Sequence, residues 1–230
     1  MDVEIKGGPA FTMATLRLAG GEQVRVEAGS MLGMSQGIAI ETGMTGGLFQ
    51  SLTRSLFGGE SFFQNTYTAP PQGGSVAVAP PLPGDLFALE VTEPLLVQSG
   101  SYVAAEMGVT VETSWGGARG FFSSEGLILL RATGAGKIVL SSYGAIHEMT
   151  LGAGESYTLD TGHLVAFSAD LGFQVRAVGG LASTLFSGEG LVVDLTGPGR
   201  ILLQTRSQDQ FLAWLIPQLP SQKDVGGSTR

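Results

Sequence analysis

Three glutamates occupy one column of a recurring pattern, and three carboxylates related by repetition are the outline of a hard-cation site. They are Glu60 in LFGGESFF, Glu125 in FFSSEGLI and Glu189 in LFSGEGLV, at near-equal spacing. Converging, their oxygens would hold a divalent cation. The same residues have a structural use. Each follows two Gly or Ser residues, and a carboxylate there accepts hydrogen bonds from the N–H groups of its own turn. The small neighbours favour turn pinning, and Glu60, Glu125 and Glu189 stand as ligand or turn-pinning candidates.

Other fragments that suggest chemistry fall short of it. TGAGK at 133–137 lacks the spacing of a phosphate loop, and Ile138 stands where Ser or Thr would ligate magnesium. Its twin TGPGR at 196–200 points to a hairpin turn in both places. His147 and His163 have no second ligand at metal-binding spacing. A triad of Ser, His163 and Asp160 lacks a nucleophile elbow. We therefore expect no catalytic residues, no metal ligands, no cofactor and no enzyme activity.

Composition narrows the partners. The 230 residues hold 12 Lys and Arg against 20 Asp and Glu, a formal charge of −8. Nucleic acid needs phosphate neutralisation, so none is expected as a partner. Charged residues are only 14% of the chain, which points to surface buried in a homo-oligomer. Cysteine is absent, so there is no disulfide framework, and a reducing, cytoplasmic location is expected. Met1 precedes Asp2 and Glu4 rather than a basic and apolar leader, and no transmembrane segment is expected.

The elements that must carry these residues repeat three times. VEAGSMLGMSQGIAIET from Val26, VQSGSYVAAEMGVTVET from Val97 and LDTGHLVAFSADLGFQVRA from Leu159 align through Gly29, Gly100 and Gly162. His163 thus takes the place of Ser30 and Ser101. Short alternating apolar segments punctuated by Gly, Pro and Ser predict antiparallel strands. Runs such as Leu127–Leu130 and Ile201–Leu203 lack alternation, as strands buried on both faces do. The expected fold is all-β: three β repeats in sandwich-like units about a pseudo-threefold axis, plus two short helices. The repeats cover about 1–80, 81–143 and 144–206 of a single domain, followed by a helix at 207–219 and a disordered tail at 220–230.

The helices interrupt the β pattern. GLFQSLTRSLF at 47–57 places Leu48, Leu52 and Leu56 four residues apart, with Phe49 beside them and Arg54 among them. Ser207 and Gln210 suit a capping box, Asp209 the positive end of the helix dipole, and Phe211, Trp214 and Leu215 an apolar face ended by Pro217. Both helices carry few basic residues, so packing on the core or across a subunit interface is favoured over a membrane surface. Arg54, Leu48, Phe49, Leu52, Phe211 and Trp214 are the interaction candidates.

Leu52-Thr-Arg54-Ser-Leu-Phe57-Gly-Gly-Glu60-Ser-Phe-Phe63-Gln-Asn65-Thr-Tyr67 resembles the core of the mitochondrial-biogenesis-type family of TRAP-like proteins, with Tyr67 where Phe is usual. The resemblance spans most of residues 1–206. It implies β-units related to the tryptophan RNA-binding attenuation protein, several in one chain. It does not imply that protein's activity, because none of its tryptophan or RNA ligands has a match here. The expected role is a non-catalytic scaffold or interaction protein that self-associates. Alternatives are a small-ligand or metal-ion module at the pseudo-threefold axis, or, by family analogy, peripheral membrane organisation.

Overall fold

The computed structural model describes residues 1–43, 63–113, 127–178 and 191–219. Nineteen strands fall among them. The first repeat supplies β1 (Asp2–Lys6), β2 (Met13–Leu18), β3 (Gln23–Glu27), β4 (Met31–Met34), β5 (Ala39–Gly43), β6 (Gln64–Thr68) and β7 (Gly74–Val78). The second supplies β8 (Leu86–Val91), β9 (Leu95–Gln98), β10 (Tyr102–Glu106), β11 (Val109–Thr113), β12 (Leu129–Gly134) and β13 (Gly136–Ser141). The third supplies β14 (Ile146–Leu151), β15 (Ser156–Asp160), β16 (Leu164–Ser168), β17 (Gly172–Ala177), β18 (Leu191–Thr196) and β19 (Gly199–Gln204). A helix, α1 (Gln208–Leu215), follows.

The chain is mostly β, in antiparallel sheets. Their strand orders are β1-β2-β7-β4, β5-β6-β3-β10-β13-β8, β11-β12-β9-β16-β19-β14 and β15-β18-β17. Each repeat divides between two sheets. Half of repeat one and half of repeat two share the second sheet, and repeats two and three share the third.

Among the described residues, three apolar cores lie between successive sheets. Leu16, Val76 and Val78 of the first sheet meet Val24, Val26 and Tyr67 of the second. Tyr102, Ile138 and Leu140 of the second meet Val97, Leu130 and Leu202 of the third. Phe167 and Ile201 of the third meet Leu159, Val193 and Leu195 of the fourth.

This layering explains the residue patterns. β2 and β3 alternate between buried and less buried residues, because only one of their faces meets a core. β16 is buried at every position because two cores meet at it, Val165 and Ala166 lying in the second and Leu164 and Phe167 in the third.

The turn at TGAGK is not a hairpin. β12 belongs to the third sheet and β13 to the second, so residues 133–137 carry the chain across the sandwich. The same holds at 196–200, between β18 and β19. Close approach fixes the sequence there: a Cβ on Gly134, whose φ is +100°, would lie 2.2 Å from the Gly108 carbonyl oxygen. The Ala135 N–H donates to that same carbonyl, at 3.1 Å.

Candidate functional site

The repeats join along two seams built to one plan. At the first, β10 lies antiparallel to β3, with Ala104 opposite Val26, Ala105 opposite Arg25 and Glu106 opposite Val24. At the second, β16 lies against β9, with Ala166 opposite Val97, Phe167 opposite Leu96 and Ser168 opposite Leu95.

A bulge in each seam strand sorts its side chains. The register of β10 on β13 shifts between Tyr102 and Ala104, and that of β16 on β19 between Leu164 and Ala166. Val103 and Ala104 therefore both face the core of the preceding repeat, while Tyr102 and Ala105 face their own. Val165 and Ala166 likewise face the preceding core, and Leu164 and Phe167 their own.

The first seam also carries charge. The Arg25 guanidinium donates to the carbonyls of Val109, Met107 and Glu106, the last two at 3.3 and 3.4 Å. The Met1 ammonium lies 2.9 Å from Glu106 and also pairs with Glu22. The Lys137 N–H donates to Glu106 at 2.8 Å. Burial pushes the Glu106 carboxyl up, but the ammonium and the Lys137 N–H outweigh it and hold the group below the usual range. Hydrogen bonds to Glu22 and Glu106 raise the Met1 amine. Burial pushes the Tyr102 phenol far up, and its hydroxyl donates to the Arg25 carbonyl at 3.4 Å.

The second seam is mainly apolar, with one polar corner. Ser168 Oγ donates to Glu93 at 3.0 Å and accepts from the Arg200 N–H at 3.1 Å.

A third strand of this kind, β4, has the same bulge, between Met31 and Gly33 against β7. Among the described residues it pairs with β7 alone and ends its sheet. β15, the counterpart of β3 and β9, pairs among the described residues with β18 alone and ends the fourth sheet. Among the described residues, the β4–β15 pairing that would close the three units about one axis is not formed.

The predicted site residues are placed unevenly. Glu60, Glu125 and Glu189 lie outside the described residues, as do Leu48, Phe49, Leu52 and Arg54. Phe211 packs edge-on against Tyr143, ring centroids 5.9 Å apart, which ties α1 to the core domain. Trp214 is 64% exposed and lies 6.2 Å from Phe211. Ser207 Oγ caps α1 by accepting from the Gln210 N–H at 3.5 Å. His163 Nδ1 contacts the Gln204 carbonyl at 2.8 Å, while Asp160 accepts from the Gly162 N–H at 2.7 Å. The acid of the suggested triad is therefore committed to a turn. No three His, Asp or Glu side chains among the described residues gather as a metal site.

Met31, Leu32, Met34 and Tyr157 carry no motif that singles them out in the sequence, yet they are exposed apolar side chains on the two open strands. The aligned columns hold the signal: Leu32 stands where Val103 and Val165 are fully buried.

The fold is shared with known proteins. The family model described as mitochondrial biogenesis AIM24 matches residues 3–206. The chain belongs to this family. An uncharacterised protein of Streptococcus pyogenes serotype M6 is 28% identical over 220 residues, 92% of this chain and 88% of that protein. The crystal structure of a Streptococcus pyogenes protein solved by structural genomics superposes with a TM-score of 0.80 at 26% identity, covering 95% of this chain and 99% of that one. Both similarities run through all three repeats. Among the described residues, no helix is long and apolar enough to cross a membrane.

Proposed function

We propose that this AIM24-family chain is a non-catalytic scaffold that works by self-association in the cytoplasm, with TRAP-like units as its building blocks. One observation carries the reading: apolar side chains buried in the second and third repeats are exposed at the same columns of the first. Met34 is 43% exposed where Ala105 and Phe167 are nearly fully buried. Exposed contiguous apolar surface on an otherwise well-packed β protein marks an interaction site. The low charge content supports the same reading, and the absence of cysteine suits a reducing compartment.

Multi-angle light scattering of the full chain at micromolar concentration tests it. The expected mass is a multiple of one chain, and a strict monomer would overturn the proposal.

A further inference from the structure

We infer that β4 of one chain pairs antiparallel with β15 of a second copy, forming head-to-tail the same seam that joins the repeats within a chain. The inference rests on the self-association reading and adds the strands, the register and the orientation.

The two internal seams fix the geometry. Gly33 occupies the column of Ala104 and Ala166, because all three follow the bulge in the same way. Leu159 occupies the column of Val26 and Val97, three residues before Gly162, Gly29 and Gly100. The register therefore sets Gly33 opposite Leu159, Met34 opposite Thr158 and Ser35 opposite Tyr157 of the second copy.

The side chains fit this placement. Val103 and Val139 of repeat two bury against the core of repeat one. Their counterparts in repeat one are Leu32, 60% exposed, and Ala77, opposite Gly33 on β7 as Val139 is opposite Ala104 on β13. In the proposed seam Leu32 covers the flank of the second copy's third core, beside Leu159. Tyr157 is 40% exposed, whereas its counterparts Val24 and Leu95 are buried.

Charge separates these two strands from the other edges. An unpaired edge invites pairing with another chain, and charged residues blunt it. The remaining edge strands carry such residues: Glu4 on β1, Glu41 on β5, Glu90 on β8, Glu112 on β11, Glu148 on β14 and Arg176 on β17. β4 has none. β15 has only Asp160, at its end, where the carboxylate caps the following turn. Among the described residues, the two edges without a charge facing the open side are the two strands the repeat leaves without a seam partner. A contact between different surfaces of identical chains closes into a ring or grows as a filament.

Cysteine pairing tests the seam in a protein with no cysteine of its own. Residues opposite each other on antiparallel strands have Cα atoms about 4.5–5.5 Å apart, within disulfide range. Met34→Cys and Thr158→Cys chains, carrying different tags, are co-expressed, purified and oxidised. The expected product is a covalent heterodimer, with none from either variant alone and at least tenfold less when Ser156→Cys replaces Thr158→Cys. Circular dichroism of each variant confirms folding, and Gly33→Cys with Leu159→Cys is the alternative pair. If light scattering shows an oligomer but neither pair cross-links, the seam is overturned and self-association stands. A monomer overturns both. A covalent dimer of Met34→Cys alone, or cross-linking confined within a doubly substituted chain, also overturns the head-to-tail seam.

Discussion

Arg25 of the first repeat donates through its guanidinium to the backbone carbonyl of Val109 in the second, across the β3–β10 seam. The same group reaches Met107 and Glu106, so one cation satisfies several carbonyls of the chain entering β11. At the second seam the corresponding position is Leu96, buried in the third core. One backbone plan is thus closed by charge at one seam and by apolar packing at the other.

Removing that cation has a calculable effect. Hydrogen bonds to charged groups contribute roughly 1.5–3 kcal/mol, so Arg25→Ala is expected to destabilise the chain by about that much. Urea unfolding reads the change as a lower midpoint. An unchanged midpoint would show that Arg25 does not hold the seam.

The ion cluster at Met1, Glu22 and Glu106 makes stability depend on pH in a defined direction. The Glu106 carboxyl is held below its ordinary value of 4.5 in the folded chain. Its contribution is therefore present above the unfolded pKa and lost as pH falls through the lower folded value. The Met1 amine is raised above 8.0, so its contribution is present below that pH and lost as pH rises through the folded value. Glu106→Gln should lower stability at pH 6–7 and weaken its dependence on pH below about 4.5. Equal loss at every pH, followed by thermal unfolding, would contradict the assignment.

The repeat itself is legible in the sequence, and the seams are not. Gly29, Gly100 and Gly162 align because the turn after β3, β9 and β15 is needed three times. The path after Gly134 resembles a hairpin because a Thr-Gly-x-Gly turn looks alike whichever sheet the next strand joins. Sheet membership is decided by which strand receives its N–H groups, and those partners are distant in sequence. Leu32 reads like Val103 and Val165 for the same reason. Its exposure comes from having no preceding repeat beside it, a property of position in the array.

Equivalent columns should therefore respond unequally to truncation. Phe167 is 1% exposed and Met34 is 43% exposed in the same column. Phe167→Ala should cost about 3–5 kcal/mol. In a separated chain Met34→Ala should stay within about 0.5 kcal/mol. Thermal unfolding at nanomolar concentration measures both, and comparable losses would remove the distinction between filled and open seams.

Glycines of like backbone conformation should also differ. Gly29 has φ +95° and open space within 4 Å of where a Cβ would stand, whereas a Cβ at Gly134 would strike the Gly108 oxygen. Gly29→Ala then carries backbone strain alone, about 1–2 kcal/mol. Gly134→Ala adds the clash and should be the more damaging substitution in a denaturation midpoint. The reverse order would mean that the sheet-crossing corner can relax.

The open seam is tested most directly by amide hydrogen exchange of the full chain across a range of concentrations. At high concentration the backbone of 31–35 and 156–160 should exchange as slowly as β10 and β16. On dilution both segments should lose protection together, while β10 and β16 keep theirs. Fast exchange of β4 at every concentration, or slow exchange in a strict monomer, would contradict the account.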